Sequence, residues 1–232
     1  MVKKGMFSMG AEGPECWSGD GEGPVHQVSL EDYFIDQTSV TNESFSTFVD
    51  ATGYQSEAER FGWSFVFHNQ IPKAHLKRLS FDRAFGVEWW AKVEGASWKK
   101  PGGPGTNIRK IMNHPVVHIS WHDANAFCHW AGKRLPTEAE WEFAARGGTT
   151  SSFSYGEDTT YGALATYSWY ASNSTSSQPV GHKLSNPYGL FDVHGNVARI
   201  ADAVNAMTDD LDIIVTPELS ICGYPPRDLL LS

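Results

Sequence analysis

From residue 54 to residue 113 the chain carries Phe61-Gly62-Trp63-Ser64-Phe65-Val66-Phe67, Trp89-Trp90 and Trp98-Lys99-Lys100-Pro101-Gly102-Gly103-Pro104. No two-residue or 3.6-residue hydrophobic period is sustained across it. A stretch this long without periodicity is normally either disordered or functional. Disordered segments are poor in aromatic residues, and this one is rich in them. The segment is therefore expected to be an ordered but irregular layer, and a fold that contains it is low in regular secondary structure. The whole composition agrees, with nine Trp and 13% aromatic residues against 19% charged, a balance that suits a compact aromatic interior.

Regular elements are expected on either side. His26 to Asp36 begins with alternation and reads as strand. Thr41 or Asn42 can cap a helix bearing Phe45, Phe48, Val49 and Thr52, with Gly53 at its end. Val116-Val117-His118-Ile119 reads as a short strand running into a second helix. Ser120 and Asp123 cap that helix, Ala124, Phe127, Cys128 and Ala131 form its apolar stripe, and Gly132 stops it. Thr137 and Glu140 form a capping box for a third helix with Trp141 and Ala144 inward, stopped by Gly147-Gly148. Residues 149 to 189 return to little periodicity.

The net charge of −9, from 27 acidic and 18 basic residues, argues against a nucleic-acid partner, because phosphate binding needs clustered Lys and Arg. The start, Met1-Val2-Lys3-Lys4-Gly5, lacks the apolar stretch of a secretory signal, and no run reaches membrane-spanning length. The expectation is a cytoplasmic protein with no membrane partner. Cys16, Cys128 and Cys222 have no CxxC spacing and suggest neither a zinc site nor a disulfide framework. His114, His118, His122 and His129 lack the helical spacing of a zinc helix and read as capping or core residues. Glu138, Glu140 and Glu142 read as capping and helix-dipole partners rather than catalytic acids.

Several segments in order carry a resemblance. They are Met6-Phe7-Ser8-Met9-Gly10, Tyr33-Phe34-Ile35-Asp36, Val40-Thr41-Asn42, Gly95-Ala96-Ser97-Trp98 and His114-Pro115-Val116-Val117-His118-Ile119-Ser120-Trp121. The most diagnostic run is Trp130-Ala131-Gly132-Lys133-Arg134-Leu135-Pro136-Thr137-Glu138-Ala139-Glu140-Trp141-Glu142-Phe143, and Tyr188-Gly189-Leu190-Phe191-Asp192-Val193-His194-Gly195-Asn196-Val197 closes the series. Residues 1–197 resemble the formylglycine-generating enzyme and sulfatase-modifying-factor family. The resemblance implies an α+β, C-type-lectin-like fold, irregular and stabilised by calcium. It also implies an oxidase that holds Cu(I) on two cysteines and uses O2 to convert the Cys of a sulfatase C-x-P-x-R motif to formylglycine. Thiolates suit Cu(I) because soft sulfur ligands select that ion.

The family motif breaks after Val197, where Ala198 and Arg199 replace its Trp and Glu. None of the three cysteines falls at a position of the copper pair, so the chain reads as C-terminally truncated for that family and copper is not expected to bind. Asp192, Gly195 and Val197 match a family calcium site, while its fourth ligand, a Glu, falls on Arg199. Residues 197–207 have helical spacing and Leu211 to Val215 reads as a buried-type strand. Asp210 to Leu219 and Gly223 to Leu231 resemble the start of a nitrilase-type glutaminase domain of glutamine-dependent NAD synthetases. Glu218 is then the counterpart of the general base of a Glu-Lys-Cys triad, and Cys222 is not at the nucleophile position. Residues 198–232 thus read as a nitrilase-like fragment joined near Gly195-Asn196, a chimera. Three functions follow as expectations: an inactive sulfatase-maturing oxidase with a sulfatase polypeptide as partner, a non-catalytic lectin-like peptide- or protein-binding module, or a glutaminase/NAD-synthetase fragment.

Overall fold

The structure is a computed structural model of the 232-residue chain and describes residues 1–12, 22–73 and 90–196. In chain order it places β1 (Gly5–Met9), β2 (His26–Leu30), α1 (Asn42–Thr52), α2 (Glu57–Phe61), β3 (Trp63–Phe67), β4 (Trp90–Glu94), α3 (Trp121–Trp130), α4 (Glu138–Arg146) and the single turn α5 (Leu164–Tyr167). β1 pairs antiparallel with β2, Gly5 opposite Leu30 and Met9 opposite His26. β3 pairs antiparallel with β4, Trp63 opposite Glu94 and Phe67 opposite Trp90. The architecture is α+β with short elements joined by long irregular connections, as expected. No helix among the described residues is long and apolar enough to cross a membrane.

The helix boundaries follow the local chemistry of the sequence. The Thr41 side chain accepts from the Ser44 amide at the start of α1, and Gly53 ends it at φ 69°. Ser120 with Asp123 and Thr137 with Glu140 form reciprocal capping boxes on α3 and α4. A third box, Ser56 with Glu59, opens α2. Each box satisfies two backbone donors that a helix end otherwise leaves bare.

Three expectations need correction. The strand read over His26 to Asp36 ends at Leu30, beyond which Tyr33 makes a single bridge to Val2. The 54–113 segment contains α2, β3 and β4 and is not irregular throughout. The strand period was hidden because Trp63, Phe65 and Phe67 lie on the half-exposed face while Ser64 and Val66 point inward, so apolar residues occupy both faces. The expected strand at residues 116–119 does not form. Pro115 makes one bridge to Thr41, the Val116 amide donates to the Val40 carbonyl, and His118 then adopts φ 60°. A left-handed residue cannot continue an extended strand. The helix and strand expected at 197–207 and 211–215 lie outside the described residues.

Three apolar clusters hold these elements. The largest joins Phe45, Phe48 and Val49 of α1 to Trp98, Val116, Ile119 and Phe127. Phe45 meets Trp98 edge-on at 5.1 Å and Phe48 meets Phe127 edge-on at 5.8 Å, geometries that add about 0.5–1.5 kcal/mol each beyond burial. A second cluster lies under the β3–β4 pair around Val66, Ala91 and Val93. The third packs α4 on β1 and β2 through Val2, Phe143, Ala144 and Leu190. There the Phe143 ring lies so close to Gly5 that an added Cβ would come within 2.7 Å of it.

Two buried polar groups stitch the irregular segments to the helices. Asp123 is wholly buried, and its carboxylate accepts from the Tyr54 hydroxyl at 2.9 Å, the Glu57 amide at 3.0 Å and the Ser120 amide at 3.0 Å. Burial pushes its carboxyl up, and these donors oppose the shift. His118 is buried between Ser64 of β3 and Pro101, with Nδ1 2.8 Å from Ser64 Oγ and Nε2 2.8 Å from the Pro101 carbonyl. A carbonyl can only accept, so Nε2 carries the proton and Nδ1 receives the Ser64 hydroxyl. Burial holds this imidazole neutral, lowering its pKa from 6.5 to about 4.

Replacing Asp123 by Asn puts an amide N–H against these donors and is expected to cost about 2–3 kcal/mol in urea unfolding; an unchanged midpoint would show that the hub is dispensable. His118 gives a pH dependence of definite sign. Its folded pKa lies below its unfolded value, so its contribution is complete above pH 6.5 and is lost as pH falls toward 4. The difference amounts to about 3 kcal/mol. Chemical unfolding from pH 7 to pH 4 should show this loss. His118→Asn, which tolerates the left-handed backbone, should have a lower midpoint at pH 7 and a shallower fall with acid. A slope equal to that of the parent chain would refute the assignment.

Candidate functional site

The segment 186–196 is held in place by backbone carbonyls it did not itself supply. Asn186, buried after α4, donates its side-chain amide to the carbonyls of Ala144 and Ala145. Its Oδ1 accepts from the amides of Tyr188 and Leu190 at 3.0 Å. One side chain thus closes a helix C-terminus and forms the next turn, the behaviour that makes Asn a turn residue. The Phe191 amide then reaches the Gln37 carbonyl at 2.8 Å. Sequence reasoning missed Asn186; the Asn186-Pro187-Tyr188-Gly189 run was the signal that could have found it.

Asp192 follows, 4% exposed and at φ 60°. Its Oδ2 accepts from the Gly181 amide at 2.9 Å, and its backbone carbonyl accepts from the Gly195 amide at 3.0 Å. Its Oδ1 is buried with no hydrogen-bond partner. Burial pushes the carboxyl up, opposed first by the Gly181 amide and then by the positive fields of His182 and Lys183. Gly195 sits at φ 123°, where a Cβ would come within 3.2 Å of Ser168 Oγ and 3.3 Å of the Trp169 carbonyl. The Gly195 carbonyl accepts from the Trp169 amide at 2.9 Å and lies 3.4 Å from Ser168 Oγ. Asn196 is equally buried, with Oδ1 on the Gln178 amide and Nδ2 without a partner, as is the indole N–H of Trp169.

Of the expected calcium ligands, Asp192 and Gly195 are brought into one turn, and Val197 lies outside the described residues. The buried, unpaired Asp192 Oδ1 is the kind of hard anionic oxygen Ca2+ takes, so the residues present fit a cation there. No group of three or more His, Cys, Asp or Glu that could hold a metal occurs among the described residues. A site here is therefore one carboxylate supplemented by carbonyl oxygens.

Several of the other residues singled out in the sequence have structural partners, whereas His122 and His129 lie exposed on α3 and are not the core residues expected. His194 Nε2 receives both the amide and the hydroxyl of Ser154, packs edge-on to Phe153 and Tyr155, and is lowered by burial to about 4. His114 Nδ1 lies 3.1 Å from Ser177 Oγ. The Glu140 carboxylate takes the Arg134 guanidinium through both oxygens, which with the Thr137 amide holds it at about 2 despite partial burial. Glu142 accepts from the Gly10 amide and from Arg146. Cys128, the free cysteine among the described residues, is half-buried in α3 against the largest core cluster. Burial and then Asp36 push its thiol up, with Lys133 opposing, so it stays protonated at neutral pH. Cys16, Cys222 and Glu218 lie outside the described residues.

Known proteins match this pattern. A model of the sulfatase-modifying factor enzyme 1-like domain matches residues 1–208, running past the boundary expected at 197. The chain is 45% identical over 208 residues to a formylglycine-generating enzyme of Thermomonospora curvata, covering 84% of this chain and 68% of that one. It is 42% identical over 203 residues to an inactive C-alpha-formylglycine-generating enzyme 2 of Bos taurus, covering 83% and 66%. It thus spans about two thirds of these relatives' length. Among solved structures, PvdO from Pseudomonas aeruginosa matches with a TM-score of 0.59 at 22% identity, over 84% of this chain and 66% of that one, a likeness of fold alone. Taken with the capping boxes, the aromatic core and the 186–196 turn, these matches show that the chain belongs to the sulfatase-modifying factor enzyme 1-like domain family.

Proposed function

We propose that this chain carries the front part of a formylglycine-generating scaffold, C-type-lectin-like in its fold. By descent the scaffold belongs to copper-dependent oxidases that convert the Cys of a sulfatase C-x-P-x-R motif to formylglycine. We propose further that a polypeptide of residues 1–232 binds such a peptide without oxidising it. The observation that supports this reading is the state of Cys128. Cu(I) needs soft thiolates, best supplied as a pair. Cys128 is a single protonated thiol packed into a helix stripe, and by the family resemblance Cys16 and Cys222 do not stand at the copper positions. The donor set does not fit copper, and no oxidative step is routed through it. A relative of 42% identity over 203 residues, from Bos taurus, is itself named as inactive.

Calcium has a structural place in this reading. Asp192, Gly195 and Val197 would hold Ca2+, which would cross-link the turn through oxygen ligands and do no chemistry. The Glu218 segment is read as the start of a nitrilase-type domain by resemblance alone, and no amide hydrolysis is assigned to it.

Incubation of residues 1–232 with Cu(I), O2 and a C-x-P-x-R peptide should yield no aldehyde by mass spectrometry, while the peptide should still bind in a fluorescence-anisotropy titration. Turnover would sink the copper argument, and absence of binding would sink the recognition argument. Replacing residues 198–232 with a complete family C-terminal part should confer both copper uptake and aldehyde formation. A folded chimera that takes up no copper would show that the front part lacks more than the cysteine pair.

A further inference from the structure

Two tyrosines that have no part in the reading above lie ring on ring. Tyr155 follows the buried Phe153 in a tight turn, closed by the Gly156 amide on the Phe153 carbonyl at 3.0 Å. Tyr167 ends α5, which the wholly buried Leu164 anchors. Between them Asp158 gathers the chain, its carboxylate accepting from the Gly162 amide at 3.0 Å and the Ala163 amide at 2.9 Å. The two phenol rings meet at a centroid distance of 4.3 Å, only 14° from parallel. Both side chains are half-buried, so they are held by the fold and still reached from solvent. Stacking alone is served by Phe as well as by Tyr, as Phe153 shows against the same Tyr155 ring at 5.0 Å and 14°. Two phenols in contact add a chemistry that a Phe lacks. The Tyr155 hydroxyl lies 3.5 Å from Asp158 Oδ2. Burial and then the Asp158 charge push that hydroxyl up, so it stands as a neutral phenol at pH 7.

We propose that Tyr155 and Tyr167 form an oxidative modification site, at which a one-electron oxidant of the peroxide-driven haem class joins the two rings as dityrosine. Each phenol gives up one electron and its O–H proton and becomes a tyrosyl radical. The unpaired electron is shared between the oxygen and the ring carbons ortho to it, so adjacent rings couple through one ortho carbon of each. One carbon–carbon bond forms, the two ortho hydrogens move to the oxygens, and both rings regain aromaticity as phenols. The two electrons and two protons that leave the pair reduce one hydrogen peroxide to two waters. Asp158 stands where it can take the first proton from Tyr155. Rings already in contact replace a diffusive encounter of two radicals by an intramolecular step. The bond closes the 156–166 loop covalently and removes freedom from the unfolded chain.

The test oxidises the full chain with hydrogen peroxide and a haem peroxidase, at a dilution where copies rarely meet. A protease specific for acidic residues then cuts after Glu157, between the two tyrosines, and the peptides are read by mass spectrometry. The expected product is a monomer two hydrogen atoms lighter, with dityrosine fluorescence and with the peptides of Tyr155 and Tyr167 joined. Tyr155→Phe and Tyr167→Phe keep an aromatic ring in the stack and should each lose this product. Tyr161→Phe and Tyr170→Phe remove neighbouring phenols and should keep it. Circular dichroism of each variant shows that loss of product is not loss of fold. A joined product that survives either of the first two substitutions overturns the proposal, as does coupling only between separate copies. Absence of the product under conditions that cross-link free tyrosine overturns it as well.

Discussion

The Asp123 carboxylate is the contact on which the central part of this fold depends. It lies at the third position of α3, where its own capping box returns it to the Ser120 amide, and it also receives the Glu57 amide at the opening of α2 and the hydroxyl of Tyr54. Two helix N-termini therefore converge on one wholly buried anion. Each contributes partial positive charge from bare amides, which together replace the counter-ion that a buried carboxylate otherwise needs. The arrangement fixes the chain between α1 and β3 relative to α3. It thereby sets where Ser64 of β3 stands when His118 reaches it.

A fold with so few ladder hydrogen bonds must satisfy its backbone by other means. Here side chains with several acceptors or donors act as junctions. Asn42 donates to the carbonyls of Ile111 and His114, Glu59 accepts from Ser56 and from the Trp98 indole, and Asn186 serves two carbonyls and two amides. The apolar clusters supply the driving force, through aromatic rings packed at angles that leave room for irregular backbone between them. This division of labour explains how the described residues, rich in Trp and Gly, are held together with two short sheets among them.

The same economy bears on function. A scaffold held by capping, aromatic packing and buried polar junctions can persist without the atoms that perform chemistry. That is why membership of this family settles the fold and leaves the activity to be argued from particular residues. Cys128 illustrates the point: its place in the stripe of α3 was expected from the sequence, and the structure gives it core neighbours and a raised thiol rather than a reactive setting.

Local signals were enough to locate the three longer helices, because caps act over three or four residues and leave a readable pattern: Thr41 and Gly53, Ser120 and Asp123, Thr137 and Glu140. Asp192 and Gly195 were named through the family resemblance, and they lie in one turn. β3 escaped because its aromatics occupy both faces, and the expected strand at 116–119 was undone by a left-handed His118 whose partners, Ser64 and Pro101, lie 54 and 17 residues away. The sequence by itself determined the caps, the aromatic core and the family. Only the tertiary structure decided that Asp123 joins two helices and that His118 is neutral. These depend on contacts between residues distant in the chain, whose energies come from burial and fixed geometry, and no short-range pattern encodes them.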